Sequence, residues 1–280
     1  LKAEHAARAK FTDDTTFSGW DAYKKVLASN CNYVILATPP GFRPYHFQAA
    51  VEAGKNIFME KPVAVDPNGV RKVIAASAVA QQKGLAVVSG TQRRHQAGYV
   101  ETIKRIHAGA IGEVLGGQVY WNQGGLWMNP RQPEWDDMTW QLKNWLYFTW
   151  LSGDHIVEQH VHQLDIVHWV MKDDPIMVRG VGGRQVRTDS KFGHIFDHFG
   201  LEFVYPGDRF VFSMCRQQDN TDGRVEEIVY GTEGTLITSS GRAEIRGKNA
   251  WTFAGENPNP YVVEHVDLQE AVRGNAPYIN

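Results

Sequence analysis

The sequence has little cysteine, little excess charge and no long hydrophobic run, and each shortage excludes a class of protein. Cys31 and Cys215 are the two cysteines among 280 residues, and they form no CxxC pair, which argues against a disulfide framework and a thiolate zinc site. Lysine and arginine (29) nearly balance aspartate and glutamate (31), so we expect neither nucleic acid nor an anionic membrane as a partner. The longest apolar stretches have the length of a strand, and no membrane-spanning segment is expected.

The first 95 residues alternate between strand-like and helix-like segments. Apolar runs at 32–40, 56–62 and 85–90 are typical of buried parallel strands, and helical patterns at 44–54 and 66–84 lie between them. This alternation predicts a doubly wound α/β sheet. Ligands of such sheets bind beyond the carboxyl ends of the strands, where this sequence carries A-T-P-P-G and E-K-P.

A different pattern follows. A helix is predicted at 97–112, a strand directly after it, then a tryptophan-rich loop and a helical segment from about 142 to 171. From 176 onward, strand-like segments joined by short turns such as Y-P-G-D-R-F predict an antiparallel sheet. The predicted fold class is therefore α/β plus α+β. Its first part, 1–95, is a parallel sheet, and its second, 96–280, is an open antiparallel sheet with helices on one face.

Lys61 is the first candidate for chemistry. It follows a predicted strand at its carboxyl end, between Glu60 and Pro62. A lysine at this position is suited to hydrogen-bond a substrate hydroxyl and to pass on its proton. The alternative is an ordinary surface lysine at the end of a strand.

The stretch S-G-D-H-I-V-E-Q-H-V-H-Q-L-D, residues 152–165, gathers an unusual number of proton-handling groups. If 154–170 is one helix, Asp154, Glu158, His162, Asp165 and Trp169 share one face. Glu158 would then lie one turn from His162 and could orient the imidazole as a general base. The alternative is a solvated polar face.

A metal site is the third interpretation of this stretch. His155 and His162 are seven residues apart and could meet at one ion, but no H-E-x-x-H pattern occurs and three suitable ligands are not evident. We therefore predict no metal. The tryptophan-rich loop could supply a stacking wall for a sugar ring, or it could belong to the core or to a subunit contact.

Three segments carry a resemblance to a known family. V-I-L-A-T-P-P-G-F-R-P-Y-H-F-Q-A-A-V-E-A-G-K-N-I-F-M-E-K-P-V-A, I-H-A-G-A-I-G-E-V and S-G-D-H-I-V-E-Q-H-V-H-Q-L-D-I-V-H-W resemble the Gfo/Idh/MocA family of NAD(P)-dependent oxidoreductases, and the similarity extends over essentially all 280 residues. It implies a Rossmann-type first domain. It also implies that NAD or NADP is the cofactor, that the substrate is a small carbohydrate and that the source is bacterial.

The resemblance also implies roles for particular residues. Lys61 would meet the substrate hydroxyl and His162 would act as acid and base, with Glu158 standing where the family has aspartate. The implied cofactor-binding residues are Thr38, Pro39, His46, Glu60 and Pro62. The implied substrate-binding residues, besides Lys61, are Asp165, Trp127 and Arg93.

The family pattern also has parts that this sequence lacks. No G-x-G-x-x-G occurs, and the chain begins at Leu1 without methionine or signal peptide, so cytoplasm and periplasm both stay open. We expect a chain truncated at both ends, a truncated Rossmann-type sheet and impaired dinucleotide binding, because the glycine-rich turn holds the pyrophosphate. The choice between NAD and NADP cannot be predicted. Exposed apolar surface favours a homo-oligomer formed through the C-terminal β-sheet.

The predicted activity is hydride transfer between NAD(P) and a hydroxyl-bearing carbon of a sugar or polyol. Two alternatives remain open. One is glycoside hydrolysis, assisted by NAD or independent of a cofactor. The other is a non-catalytic, truncated member of the family.

Overall fold

The computed structural model describes residue 5 and residues 7–276, and it contains two sheets. The first is a parallel sheet in which three strands lie in the order β1-β2-β3. Its strands are β1 (Tyr33–Leu36), β2 (Asn56–Met59) and β3 (Val87–Ser89). The alternating pattern predicted this sheet correctly. Within the described residues, no helix is long and apolar enough to cross a membrane.

Helices cover both faces of the parallel sheet. The helices are α1 (Ala22–Leu27), α2 (Arg43–Glu52) and α3 (Pro67–Gln82), with α9 (Pro260–Val272) returning from far along the chain. The carboxylate of Asp66 caps α3 by accepting from the Gly69 N–H at 2.7 Å. One face packs Phe47 of α2 and Val73 of α3 against Ile57. On the other face, Leu268 of α9 packs with Phe58.

The second sheet has eight strands in the order β11-β10-β9-β8-β4-β7-β6-β5. They are β4 (Val114–Gln123), β5 (Met177–Gly183), β6 (His198–Tyr205), β7 (Arg209–Gln217), β8 (Arg224–Gly231), β9 (Gly234–Ser239), β10 (Arg242–Gly247) and β11 (Trp251–Thr252). The strand pairs of this sheet are antiparallel, as predicted, except that β4 runs parallel to β7, which makes the sheet mixed. Short turns in the sequence predict hairpins between consecutive strands. They do not predict that β4, from a distant part of the sequence, lies between β7 and β8.

The remaining helices are α4 (Ala97–His107), α5 (Asp137–Lys143), α6 (Thr149–Ser152), α7 (His155–Glu158) and α8 (Val161–Met171). Helices α4 and α8 pack on one face of the second sheet. Ile103 and Ile166 join Val229 and Leu236 in a buried cluster there. These contacts place α8, and the polar stretch before it, over the middle of the sheet.

The expectation of one continuous helix through 154–170 is wrong. Gly153 and Asp154 have φ of 76° and 70°, so the chain turns sharply between α6 and α7. It breaks again between α7 and α8 at Gln159 and His160. A glycine in the left-handed region ends a helix at little cost, because it has no Cβ. The five-residue stripe therefore does not lie on one helical face.

Replacing Ile103 by alanine is expected to lower the free energy of unfolding by about 2–5 kcal/mol, because it leaves a cavity between α4 and the second sheet. Ile103 is 1% exposed, whereas Val100 on the same helix is 41% exposed. Val100→Ala should therefore change stability by less than about 0.5 kcal/mol. Urea unfolding followed by circular dichroism measures both. Equal losses for the two variants would contradict this account of the core.

Candidate functional site

The carboxyl ends of β1 and β2 carry several of the residues predicted to bind a cofactor. Thr38 follows β1, and its Oγ1 lies 3.1 Å from Nδ1 of His46 on α2. The ring of Tyr23 stacks on His46 with centroids 4.3 Å apart. Thr38, Pro39 and His46 line a cleft of about 590 Å³ between the N-terminal segment and α5. The structure thus brings these three residues together.

Arg43 fixes the ends of β1 and β2 relative to each other, and the sequence did not single it out. Its guanidinium donates to the carbonyl oxygen of Leu36 and, through Nε at 3.2 Å, to that of Pro62. The side chain is 2% exposed, and burial lowers the pKa of Arg43 to about 10. A cation at the start of a helix interacts unfavourably with the helix dipole. The position of Arg43 in the sequence could therefore have indicated that it has another role.

Lys61 points from the parallel sheet to the second part of the chain. Its Nζ donates to Oε1 of Glu158 at 2.7 Å and to the backbone oxygen of Glu158 at 2.5 Å. The two side chains are 15% and 10% exposed. Lys61 is therefore a largely buried cation in an ion pair and not an ordinary surface lysine. A protonated amine has three donors, and these contacts use two of them.

His162 lies next to this pair, in a different relation from the one predicted. We expected Glu158 to orient His162, but its carboxylate pairs with Lys61. The imidazole is 6% exposed and stacks on Trp121 at 5.7 Å. Burial, followed by the charges of Lys61, Arg93 and His160, holds the pKa of His162 well below its usual value. The ring is therefore neutral at neutral pH.

Some polar atoms of this cluster have no hydrogen-bond partner within the described part of the chain. Oε2 of Glu158 is buried and unpartnered. Because a buried unpaired acceptor is costly, such atoms indicate where a ligand group binds. The Lys61 ammonium contacts the Glu158 carboxylate, and the His162 imidazole, whose pKa is lowered first by burial, lies near enough for the Lys61 charge to lower it further.

The predicted substrate residues Asp165 and Arg93 are each held in an ion pair. Asp165 accepts from Nε (2.9 Å) and Nη2 (2.8 Å) of Arg94, a residue that the sequence reading missed. Arg93 is 5% exposed and donates to Glu227, which is itself fully buried. Arg93 thus lies beneath the site. From there its charge depresses the pKa of His162.

The tryptophan beside the imidazole is Trp121 of β4. Trp127, which was predicted to bind substrate, is 44% exposed and packs against Trp145 and Tyr147 with centroids 6.0 and 6.4 Å apart. Trp121 lies next to His162 because it belongs to β4, a strand of the sheet that α8 covers. Its place in a strand, and not in the loop, was the signal that could have found it.

Metal binding has little support in the geometry. Across residue 5 and residues 7–276, no three His, Cys, Asp or Glu side chains are arranged to hold an ion. The ring of His155 packs against Phe199, and burial lowers the pKa of His155 to about 3. His160 is also buried, and its Nε2 lies 2.7 Å from Oγ of Ser213. These histidines are neutral groups of the interior.

Polar side chains surround the carboxyl ends of the parallel strands, where a dinucleotide would bind. Gly90, which follows β3, leaves room for Glu60, since a Cβ there would lie 2.5 Å from the Glu60 carboxylate. Glu60, Thr38, Pro39 and His46 therefore surround the carboxyl ends of the strands, where Rossmann-type sheets hold the nicotinamide half. The 280 residues contain no glycine-rich turn to hold the pyrophosphate.

A three-stranded parallel sheet with polar residues at its strand ends is typical of a dinucleotide-binding domain. Comparison with known families gives the particular assignment. Residues 1–90 match the oxidoreductase family with an NAD-binding Rossmann fold, and residues 99–237 match the GFO/IDH/MocA C-terminal domain. The chain belongs to the Gfo/Idh/MocA family, as the sequence motifs predicted, and this family uses NAD(P).

Curated relatives and solved structures agree with this assignment. Inositol 2-dehydrogenase 3 of Saccharopolyspora erythraea is 30% identical over 54% of this chain and 38% of its own length. Inositol 2-dehydrogenase/D-chiro-inositol 3-dehydrogenase of Lactiplantibacillus plantarum is 31% identical over 65% and 46%. The matches thus span less than half of these relatives. The fold is similar to that of aldose-aldose oxidoreductase from Caulobacter crescentus complexed with glycerol (TM-score 0.75, 18% identity), over 100% of this chain and 80% of that one.

Glu264 of α9 is a further ionisable group near the strand ends. It is 2% exposed, and its Oε2 has no hydrogen-bond partner among the described residues. Burial, and then the charge of Glu60, raise the pKa of Glu264 to about 8. The carboxyl group is therefore protonated at neutral pH in the folded chain.

Glu264→Gln is expected to stabilise the protein at alkaline pH. The pKa rises from 4.5 to about 8 on folding, so the folded state keeps a proton that the unfolded state loses, and stability falls as pH rises through this window. Glutamine cannot ionise. Its advantage should be near zero at the acidic end and exceed about 1 kcal/mol at the alkaline end. Thermal unfolding across this pH range measures it.

Glu270→Gln on the same helix is the control. Hydrogen bonds from Asn275 and Arg273 lower the pKa of Glu270, so its neutralisation should give no gain at alkaline pH. If both variants gained alike, the effect would reflect general charge and not burial of Glu264.

Proposed function

We propose that this chain belongs to an enzyme that transfers a hydride between NAD(P) and a hydroxyl-bearing carbon of a sugar or polyol. The observation that carries the proposal is the ion pair of Lys61 with Glu158, which joins the end of β2 to helix α7, with His162 of α8, whose pKa burial lowers first, close enough for the Lys61 charge to lower it further. The inositol dehydrogenases and the aldose oxidoreductase named above support a polyol or sugar as the substrate class.

Each of the three side chains has a distinct task in this reaction. Lys61 donates its remaining N–H to the substrate hydroxyl oxygen and stabilises negative charge that develops there. Neutral His162 accepts the hydroxyl proton. Glu158 holds the Lys61 ammonium in place through its carboxylate and its backbone oxygen. Trp121 offers the sugar an apolar ring face beside the imidazole.

The cofactor would lie against the strand ends. Thr38, Pro39, His46, Glu60 and Pro62 would hold its nicotinamide half, and the bound cofactor supplies the hydride acceptor.

We also infer that the chain associates with a second copy through the open face of the mixed sheet. The face opposite α4 and α8 exposes several apolar side chains. Phe210 and Phe212 of β7 are 43% and 41% exposed, and Val181 of β5 is 74% exposed. Exposed apolar side chains on one face of a sheet are typical of an interface. The symmetric use of one sheet face by two copies would bury it.

Lys61→Met and His162→Asn are each expected to reduce turnover at least about 100-fold, since proton transfer and charge stabilisation are lost. Lys104→Met and His168→Asn, which replace exposed residues of α4 and α8, should leave it unchanged. Reduced nicotinamide is measured by its absorbance with myo-inositol and a panel of aldoses. Fluorescence enhancement of added NADH or NADPH first tests cofactor binding.

Phe212→Glu is expected to convert the oligomer into a monomer, because it places a charge in the centre of the proposed interface. Ile74→Glu, at a 65% exposed position of α3 away from this sheet, is the control. Light scattering after size exclusion gives the mass. A monomeric native chain, or an oligomer that survives Phe212→Glu, would disprove the proposed interface.

A further inference from the structure

A second cavity, of about 810 Å³, opens at the end of the mixed sheet where β4 and β7 finish. Its walls are the segment that follows β4, the helical region around Trp140 and Tyr147, and the loop between β5 and β6. Trp121 stacks on His162, and Gly125 of the cavity follows only four residues later. Four residues of extended chain span at most roughly 14 Å, so the cavity lies close to the candidate active site.

The floor of the cavity is formed by two buried polar side chains. Arg187 is 2% exposed and Gln217 is 1% exposed. Nη2 of Arg187 donates to Oε1 of Gln217 at 2.6 Å, and its guanidinium also lies over the ring of Tyr147. This leaves Nε2 of Gln217 as a buried donor with no partner among the described residues. A donor beside a cation is a site for an acceptor that carries negative charge.

Positive charge dominates the rim. Arg131 and Lys191 line the cavity, and Asp219 is its one carboxylate. Asp219 accepts from the N–H of Gly125 at 2.8 Å, and Arg131 pairs with the exposed Asp137 at 2.6 Å. With Arg187, three cations and one carboxylate line the cavity, and because Asp137 pairs with Arg131, the cations without a carboxylate partner at this distance within the described part of the chain are Arg187 and Lys191. An anionic ligand is favoured over a neutral or cationic one.

Aromatic surface accompanies the charges. Trp140, Tyr147 and Phe192 line the same cavity. Flat apolar rings combined with a few polar groups are suited to a ring that has both C–H faces and hydroxyl groups. Inorganic anions would use the charges alone and leave this surface exposed.

We propose that this cavity binds a sugar acid, with its carboxylate on Arg187, Gln217 and Lys191 and its ring on the aromatic wall. The choice of a carbohydrate rests on the proposed function, whereas the preference for an anion rests on the cavity alone. The ligand could be a second substrate or the far end of a longer one. In either case the cavity selects acidic over neutral sugars.

The inference is tested by measuring the binding of D-glucuronate, D-glucose and inorganic phosphate to the protein. Calorimetry gives the affinities, and intrinsic tryptophan fluorescence reports binding because Trp140 lines the cavity. The dissociation constant of glucuronate should be at least about tenfold lower than those of glucose and phosphate. Glucose or phosphate bound as tightly as glucuronate, or no binding of glucuronate, would overturn the proposal.

Variants at the exposed rim locate the binding. Lys191→Gln and Arg131→Gln should each weaken glucuronate binding several-fold, whereas Asp219→Asn should strengthen it, because it removes a repelling charge. Lys143→Gln, an exposed residue of α5 that does not line the cavity, is the matched control. Unchanged affinity in both rim variants would place the ligand elsewhere. No dinucleotide or turnover enters this measurement, so failure of the hydride-transfer assay leaves its result valid.

Discussion

The ion pair between Lys61 and Glu158 is the interaction on which the candidate site depends. These residues are 97 positions apart, and one belongs to a parallel sheet while the other ends a short helix over a mixed sheet. A half-enclosed pair of charges is stable only when geometry and further hydrogen bonds compensate for lost hydration. The backbone oxygen of Glu158 provides that second contact. The site is therefore assembled only when both sheets have their relative positions.

Around this pair, burial and then neighbouring charge keep the imidazole neutral, because both lower the pKa of His162. Arg93 and Lys61 both lie close enough to His162 to disfavour its protonated form. Glu227 satisfies Arg93 from inside the sheet, together with hydrogen bonds from Tyr99 at 3.0 Å and Thr238 at 2.8 Å. The buried pair thus has its polar atoms compensated and still acts on the imidazole through space. A general base must be unprotonated before it can accept a hydroxyl proton.

Local patterns predicted much of the fold and part of the site. The parallel sheet and Lys61 at a strand end follow from apolar runs and from the chemistry of strand termini. The break at Gly153 and Asp154 does not follow, because side-chain periodicity is blind to backbone conformation. Local patterns also do not show which distant segments pair. The structure was therefore needed to find the partner of Glu158, the parallel β4–β7 pair and the role of Arg43.

Helix α9 gives the parallel sheet a dependence on residues synthesised much later. Leu268 and Ala271 cover the face of Phe58, Ala86 and Val88, and Nδ1 of His95 lies 2.6 Å from Oδ2 of Asp267. During translation, β1 to β3 leave the ribosome with that face bare. Vectorial synthesis therefore delays burial of this face until α9 has been made.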